Sequence, residues 1–275
     1  MGQNNALLSI KELRTEFRLK DGKVLRAVDG IDLDIKPGEI HGLVGESGCG
    51  KTVASLSILR LITRPGYISG GEVLWNGHVL LKLSDQDMRK IRGKEIAMVF
   101  QNPQGALNPL YTVGDQMMAI LRLHRTMSKK EAEKEAIRLL RIVKLPDPDK
   151  RINDYPHQLS GGMCQRVMIA MALSCQPKLF IADEPTAALD VTIQAQIMDL
   201  LLELREQFQM AMLLISHDMG VVARMCDRIS VMYLGKIVEE SQAEILYSSP
   251  KHPYTQALLK AVPIPVRVKS SVDLC

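Results

Sequence analysis

Short apolar runs punctuate the chain in two different patterns. Near the N-terminus, LLSIKEL, KVLRAV and GIDLDI alternate partly between apolar and polar residues, which is typical of half-exposed strands. Later runs are apolar throughout, as in strands that are buried on both faces of a parallel sheet. These later runs are EIHGLVG (39–45), EIAMVFQ (95–101), KLFIADE (178–184) and MLLISH (212–217).

Turn residues and helical spacing supply the remaining elements. Asn76-Gly77 predicts a hairpin with a type I′ turn, and RISVMYLGKIVEE predicts a second hairpin. EAEKEAIRLLRIVKL and TIQAQIMDLLLELREQ carry apolar residues three or four apart, which predicts helices, and HPYTQALLKAVPIP predicts a short helix with Pro253 near its start. Capping boxes are expected at Ser84-x-x-Asp87, Ser128-x-x-Glu131 and Ser241-x-x-Glu244.

The order of these elements predicts an α/β protein, because buried strands alternate with helices. An antiparallel β subdomain precedes a parallel-sheet core. The segment from about 102 to 165 is mostly helical and polar, and we interpret it as an insertion between two core strands.

Composition narrows the class of protein. The 275 residues are 46% hydrophobic and 24% charged, which is typical of a globular chain. The net charge of +4 is too mild to indicate a nucleic-acid partner, and we expect none. We find neither an apolar run of the roughly 20 residues that span a bilayer nor a secretory signal. The five cysteines are scattered without a CxxC pair, which favours reduced thiols in a cytoplasm.

The first candidate site is the glycine-rich segment GESGCGKT (45–52), which matches G-x-x-x-x-G-K-[ST] between a buried run and a helical run, TVASLSILRLI. Glycines allow backbone N–H groups to turn towards phosphates, and the helix N-terminus adds partial positive charge. Lys51 can reach the β- and γ-phosphates of a nucleotide, and Thr52 can hold Mg²⁺. The predicted phosphate-binding residues are Gly45, Glu46, Ser47, Gly48, Cys49, Gly50, Lys51 and Thr52.

Polar residues also end the other buried runs. Asp183 is placed to hold Mg²⁺, and Glu184 could polarise an attacking water, although two acids before Pro185 could also form a solvated turn. Gln101 and His217 each end a further run. A lone histidine at a strand end is more often structural. Because parallel strands end at one edge of a sheet, we expect Lys51, Gln101, Asp183 and His217 to converge.

Taken together, GESGCGKT, Gln101, LSGGM, LFIADE and ISHD occur in an order that resembles the ATP-binding subunits of ABC transporters, over essentially the whole chain. The resemblance implies a P-loop NTPase (RecA-like) fold and an ATPase that uses ATP and Mg²⁺. It also implies roles for single residues. Gly45 to Thr52 would be the Walker A loop, Asp183 the Walker B aspartate, Glu184 the general base, Gln101 a sensor of Mg²⁺ and the γ-phosphate, and His217 the switch histidine.

The same resemblance assigns contacts beyond one chain. Ser160, Gly161 and Gly162 would close on the ATP that a second subunit binds, and Asp190 of ALD (188–190) would lie at that contact. This would explain why a glycine pair stands where a helix begins. Phe17 is the candidate for stacking on adenine.

A narrower resemblance points to importer ATPases for dipeptides, oligopeptides, nickel and related solutes. It rests on MVFQNPQGALNP, YPHQLSGG, ADEPTAALDVTIQAQI and SPKHPYTQALLKAVP. It implies an ATP-binding domain over residues 1–240 and a short C-terminal extension over 241–275. The implied partners are a membrane permease, a second ATP-binding subunit and, indirectly, an extracytoplasmic solute-binding protein. The subunit would lie on the cytoplasmic face of the membrane, with residues 102–116 contacting the permease.

Some residues depart from that pattern. Cys164 stands where the family usually has arginine or glutamine, and Ala187 stands where threonine is common. Cys275 is the single cysteine among the ten residues after Pro265. Because an iron–sulfur cluster needs four ligands, we expect none, and a truncated end is one interpretation. Cys49 is either a thiol that the phosphate loop activates or a small filler. An exporter subunit, a non-transport ABC ATPase and a nucleotide-binding module without turnover remain alternative functions.

Overall fold

The structure is a computed structural model that describes residues 6–187 and 189–261. Ala188 of the ALD motif, the proline-rich end and Cys275 lie outside the described residues.

The strands of the described chain are β1 (Leu8–Arg18), β2 (Val24–Ile35), β3 (Ile40–Val44), β4 (Gly66–Trp75), β5 (His78–Val79), β6 (Ile96–Val99), β7 (Leu179–Asp183), β8 (Ala211–Ser216), β9 (Arg228–Tyr233) and β10 (Lys236–Gln242). The helices are α1 (Lys51–Ile58), α2 (Asp85–Ile91), α3 (Pro103–Ala106), α4 (Val113–Arg125), α5 (Lys129–Ile142), α6 (Pro148–Arg151), α7 (Gly161–Leu173), α8 (Val191–Phe208), α9 (Met219–Met225), α10 (Ala243–Ser248) and α11 (Pro253–Lys260).

The chain forms two compact units. Of the described residues, the first unit contains 6–88 and 210–261, and the second contains 89–187 and 189–209. The boundaries expected from the sequence, 1–240 and 241–275, remain a prediction.

The first unit contains an antiparallel sheet in the order β2-β1-β4-β5. KVLRAV and GIDLDI, which the sequence pattern separates, form the single strand β2, because pairing with β1 continues from Arg18↔Val24 to Leu8↔Ile35 across register shifts. The predicted hairpin at Asn76-Gly77 is confirmed, with φ of 48° and 81° at the two turn residues.

The first unit also contains four strands in the order β10-β9-β3-β8, of which β10 is antiparallel to β9. β3 pairs in parallel with both β8 and β9, and every residue of β3 and β8 is buried. This confirms that runs without alternation are core strands. β9 and β10 form the predicted second hairpin, with φ of 45° at Leu234 and 82° at Gly235.

The second unit holds the parallel pair β6 and β7, together with the helices from α3 to α8. The segment predicted to be a helical insertion is indeed helical, and α4, α5 and α7 contact one another. Among the described residues, no helix combines the length and apolar character needed to cross a bilayer.

Two helix boundaries differ from the sequence prediction. Ser128 forms the predicted capping box with Glu131, but Ser241 does not cap a helix. It pairs with Ile229 within β10, and α10 begins after Gln242. Helix α1 ends at Ile58 instead of continuing through TVASLSILRLI, because Arg60 turns to φ 53°; the Arg60 guanidinium donates to the Leu83 carbonyl.

Candidate active site

The phosphate-loop candidate joins buried strand β3 to helix α1, and neighbouring backbone confines it closely. A Cβ atom at Gly45 would lie 2.2 Å from the Met232 carbonyl oxygen, and one at Gly50 would lie 2.2 Å from that of Ala27. Both glycines have positive φ, 152° and 113°. Glycine is therefore required at these two positions by close backbone approach as well as by conformation.

Lys51 begins α1 and folds back over the loop. Its side chain is buried, and its ammonium donates to the carbonyl oxygens of Gly45 and Glu46 at 2.7 and 2.8 Å. Thr52 is exposed at the second position of the helix. The first turn of α1 carries no acidic side chain, so the partial positive charge of the helix N-terminus is not offset there.

The two cysteines of the site motifs are buried. Burial raises the pKa of the Cys49 thiol and outweighs the opposing effect of Lys51, whose Nζ lies 3.8 Å from Sγ. The raised pKa argues against an activated thiol and favours the filler interpretation. Burial also raises the pKa of Cys164, and its thiol donates to the Pro156 carbonyl at 3.5 Å, so this residue packs inside the helical unit.

In the second unit, buried Asp183 ends β7 and Glu184 follows with φ 45°. This left-handed conformation costs a non-glycine residue about 1–3 kcal/mol, and such strain concentrates at functional sites. The Gln101 amide donates to the Glu184 carboxylate at 2.8 Å. The structure thus brings together two residues that are 83 positions apart in the sequence.

Ser160, Gly161 and Gly162 form the start of α7. The Ser160 hydroxyl caps the helix by accepting from the Met163 N–H at 3.3 Å. A Cβ at Gly162 would lie 2.8 Å from the Ile193 side chain, whereas one at Gly161 would meet only Leu189 at an ordinary 3.5 Å. These residues line an open groove of about 590 Å³ beside α8. The first turn has no acidic residue, so it presents an accessible, electropositive helix end.

His217 follows β8 and is exposed at the turn into α9. The next residue, Asp218, fixes this turn, because its carboxylate accepts from Gly220 and Val221 N–H groups at 2.8 and 3.2 Å. Its own N–H donates to the Ser216 hydroxyl at 2.9 Å. The histidine is therefore presented by a short, hydrogen-bonded connection between a buried strand and a helix.

Phe17 and Asp190 have structural contacts of their own. Phe17 is half-buried in β1, and its ring lies against Gly66 of β4. Asp190 caps α8 by accepting from the Ile193 N–H at 3.0 Å. The adenine and subunit contacts expected for them stay predictions, as does the convergence of Lys51 and His217 of the first unit with Gln101 and Asp183 of the second.

The sequence did not predict one contact at the site. The Tyr254 hydroxyl of α11 accepts from the Glu46 N–H, within the phosphate loop, at 2.9 Å. The sequence signal was HPYTQALL itself, which marks a resemblance but does not indicate what its tyrosine touches.

These features define the class of the chain as a P-loop nucleoside triphosphatase: a glycine loop between a buried strand and a helix, with an Asp–Glu pair after another buried strand. Two family models match it. The model for ABC transporters matches residues 28–187, and that for the C-terminal region of oligopeptide and dipeptide transporters matches residues 238–273.

Similar proteins agree with both matches. The chain is 50% identical to the dipeptide transport ATP-binding protein DppD of Escherichia coli over 94% of this chain and 79% of that protein. It is 49% identical to the oligopeptide transport ATP-binding protein OppD of the same organism, over 95% and 77% of the two chains. It is also 50% identical to a probable peptide ABC transporter ATP-binding protein of Sinorhizobium fredii, over 94% and 77%.

Solved structures give the same answer for the fold. The dimeric post-hydrolysis structure of the ATP-binding cassette MJ0796, bound to ADP and Pi, superposes with a TM-score of 0.76 at 32% identity, covering 86% of this chain and 98% of that one. The cbiO1 protein of Clostridium perfringens gives 0.74 at 26% identity, over 90% and 92%. The chain belongs to the ABC transporter family, which confirms the resemblance carried by its motifs.

The raised pKa of Cys49 predicts slow alkylation of the native chain at pH 7, because little thiolate is present, and faster alkylation as the pH rises. Treatment with N-ethylmaleimide and site-resolved mass spectrometry would measure this, with the urea-unfolded chain as control. Rapid labelling of native Cys49 at pH 7 that MgATP suppresses would restore the activated-thiol hypothesis.

Proposed function

We propose that this chain is the ATP-hydrolysing subunit that powers uptake of dipeptides or oligopeptides through a membrane permease. The observation that carries the proposal is the phosphate loop with its buried Lys51, joined in one chain to a Glu184 that Gln101 holds. The chain is also about half identical to dipeptide and oligopeptide transport ATP-binding proteins over more than nine-tenths of its length. The relatives' names favour peptides over the nickel that the narrower resemblance also allowed.

The loop fits a nucleotide phosphate chain. The Gly45 and Gly50 positions exclude a Cβ, and α1 offers its N–H groups without a competing acid. In our proposal, the backbone of Gly45 to Thr52 binds the phosphates of ATP. Lys51 exchanges its contacts with the loop carbonyls for phosphate oxygens. Phe17 would then stack on the adenine.

The Mg²⁺ ligands would be few, as this ion usually keeps waters and phosphate oxygens and takes one or two protein groups. The Thr52 hydroxyl, the Asp183 carboxylate and the Gln101 amide oxygen have the oxygen chemistry that the ion prefers. When bound, Mg²⁺ would neutralise charge on the phosphate oxygens.

Glu184 is the proposed general base. Its left-handed backbone sets the carboxylate beside Gln101, and the amide keeps one carboxylate oxygen in place by hydrogen bonding. The carboxylate would take a proton from the water that attacks the γ-phosphate. His217, fixed by its capped turn, would contact that phosphate and orient it.

A second ATP-binding subunit, identical or paralogous, would complete the site. Ser160, Gly161 and Gly162 start an accessible helix whose first turn has no acid, as an anion site requires. They would close on ATP that the partner binds, with Asp190 near the contact. The MJ0796 cassette was solved as a dimer, which supports this arrangement.

The segment after Gln101 is the proposed permease contact. Between α3 and α4, Leu110 is 80% exposed and Tyr111 is 55% exposed. Gln116 bridges this turn, since its amide donates to the Asn108 and Tyr111 carbonyls at 3.0 Å each. Two apolar side chains on a fixed turn suit a protein contact. We also propose that the chain is a peripheral subunit on the cytoplasmic face of the membrane. An extracytoplasmic solute-binding protein would deliver the solute to the permease and so act with this chain indirectly.

Replacing the proposed base tests the proposed activity. Glu184→Gln should lower kcat for ATP hydrolysis by about 10²–10⁴, because the amide cannot accept the proton. It should still bind MgATP and accumulate as an ATP-bound dimer. Glu203→Gln is the matched control, since it alters only an exposed ion pair with Lys144. Rapid turnover by Glu184→Gln would contradict the assignment.

Changing the glycine pair tests the shared site. Gly161→Asp should leave MgATP binding by the separate chain unaltered and abolish turnover, because its carboxylate would repel the partner's phosphates. Gly161→Ala is the control for size, as its Cβ would meet only Leu189 within the chain, at 3.5 Å, and it should lower turnover less than Gly161→Asp does. Binding is measured by calorimetry and turnover by phosphate release. Full turnover by Gly161→Asp would exclude a role for Gly161 at the partner's ATP.

A further inference from the structure

The C-terminal helix α11 reaches the phosphate loop through one side chain. The Tyr254 hydroxyl accepts from the Glu46 N–H at 2.9 Å, and its ring packs on Tyr233, with ring centroids 4.3 Å apart and planes at 41°. Glu46 is the second residue of the loop, directly after Gly45. Tyr254 therefore contacts the loop at its first turn, through backbone, independently of the Glu46 side chain.

The position of Tyr254 is set by strand β10. The Glu239 carboxylate of that strand accepts from the N–H groups of Lys251 and His252 at 2.8 and 2.9 Å. The His252 imidazole then caps α11 by accepting from the Tyr254 N–H at 3.2 Å. Tyr254 is thus anchored by groups outside the loop, so its hydroxyl offers the loop a fixed acceptor.

The hairpin that precedes α11 holds the other end of the loop. The Gly235 N–H donates to the Cys49 carbonyl at 2.9 Å. At the start of the loop, the Met232 carbonyl oxygen lies 2.2 Å from the position that a Cβ of Gly45 would take. The loop is therefore held near its start by Tyr254 and near its end by Gly235.

We propose that Tyr254 is a positioning residue that holds the first turn of the phosphate loop in the conformation that binds MgATP. The proposal rests on the proposed function, because it concerns the affinity of that same site. A loop that is already ordered loses less conformational entropy when its N–H groups bind a ligand, so the hydrogen bond should favour nucleotide binding. Tyr254 touches the loop backbone and none of the proposed reacting groups, so its effect should fall on KM and spare kcat.

Tyr254→Phe removes the hydroxyl and keeps the ring packed against Tyr233. We expect KM for MgATP to rise about three- to tenfold, the range that one hydrogen bond confers, while kcat at saturating ATP stays within about twofold. Tyr233→Phe is the matched control, since it removes a hydroxyl from the other ring of the pair and leaves the bond to Glu46 in place. Both variants are made in the full chain, and thermal melting without nucleotide accompanies the kinetics.

The outcomes separate the two proposals. Unchanged KM in Tyr254→Phe, with wild-type turnover intact, would overturn the role of Tyr254 and leave the proposed function standing. A fall in kcat that tracks a lower melting temperature would also overturn it, because it would show a merely structural contribution. A wild-type chain that neither binds nor hydrolyses MgATP would overturn the proposed function.

Discussion

The close approach of backbone on both sides of the phosphate loop is the constraint on which the site depends. Carbonyl groups of Met232 and Ala27 occupy the places where side chains of Gly45 and Gly50 would begin. The loop can follow this path only as bare backbone, and that path leaves Lys51 folded over it at the start of α1. Loop, lysine and helix N-terminus together have the backbone donors and the positive charge that suit the proposed phosphate site.

The second unit supplies the proposed general base and the proposed contact with a second subunit. Glu184 is held in a strained backbone conformation with Gln101 on its carboxylate, an arrangement suited to a base that must be placed accurately. At the start of α7, a Cβ on Gly162 would meet Ile193, so packing already favours glycine there. Gly161 has room for a methyl group, so its identity fits a close approach from outside the chain.

Most of the fold could be predicted because buried strands, hairpin turns and helix periodicity are local signals. The Asn76-Gly77 turn and the helix start at Gly161 followed from them. The features that the sequence predicted wrongly or left open depend on tertiary packing. The residue types at Ser241-x-x-Glu244 fit a capping box, but Ser241 pairs with Ile229 within strand β10 and does not cap a helix. The Cys49 pKa follows from burial, and the Tyr254 contact joins residues 208 positions apart.

Calorimetric titration of MgATP into two glycine variants tests the loop constraint most directly. Gly45→Ala places a Cβ against the Met232 carbonyl, whereas Gly38→Ala meets nothing within 4 Å although φ is positive at both positions. With folding checked by circular dichroism, we expect binding to be at least about tenfold weaker in Gly45→Ala and close to wild type in Gly38→Ala. Wild-type affinity in a folded Gly45→Ala chain would contradict it.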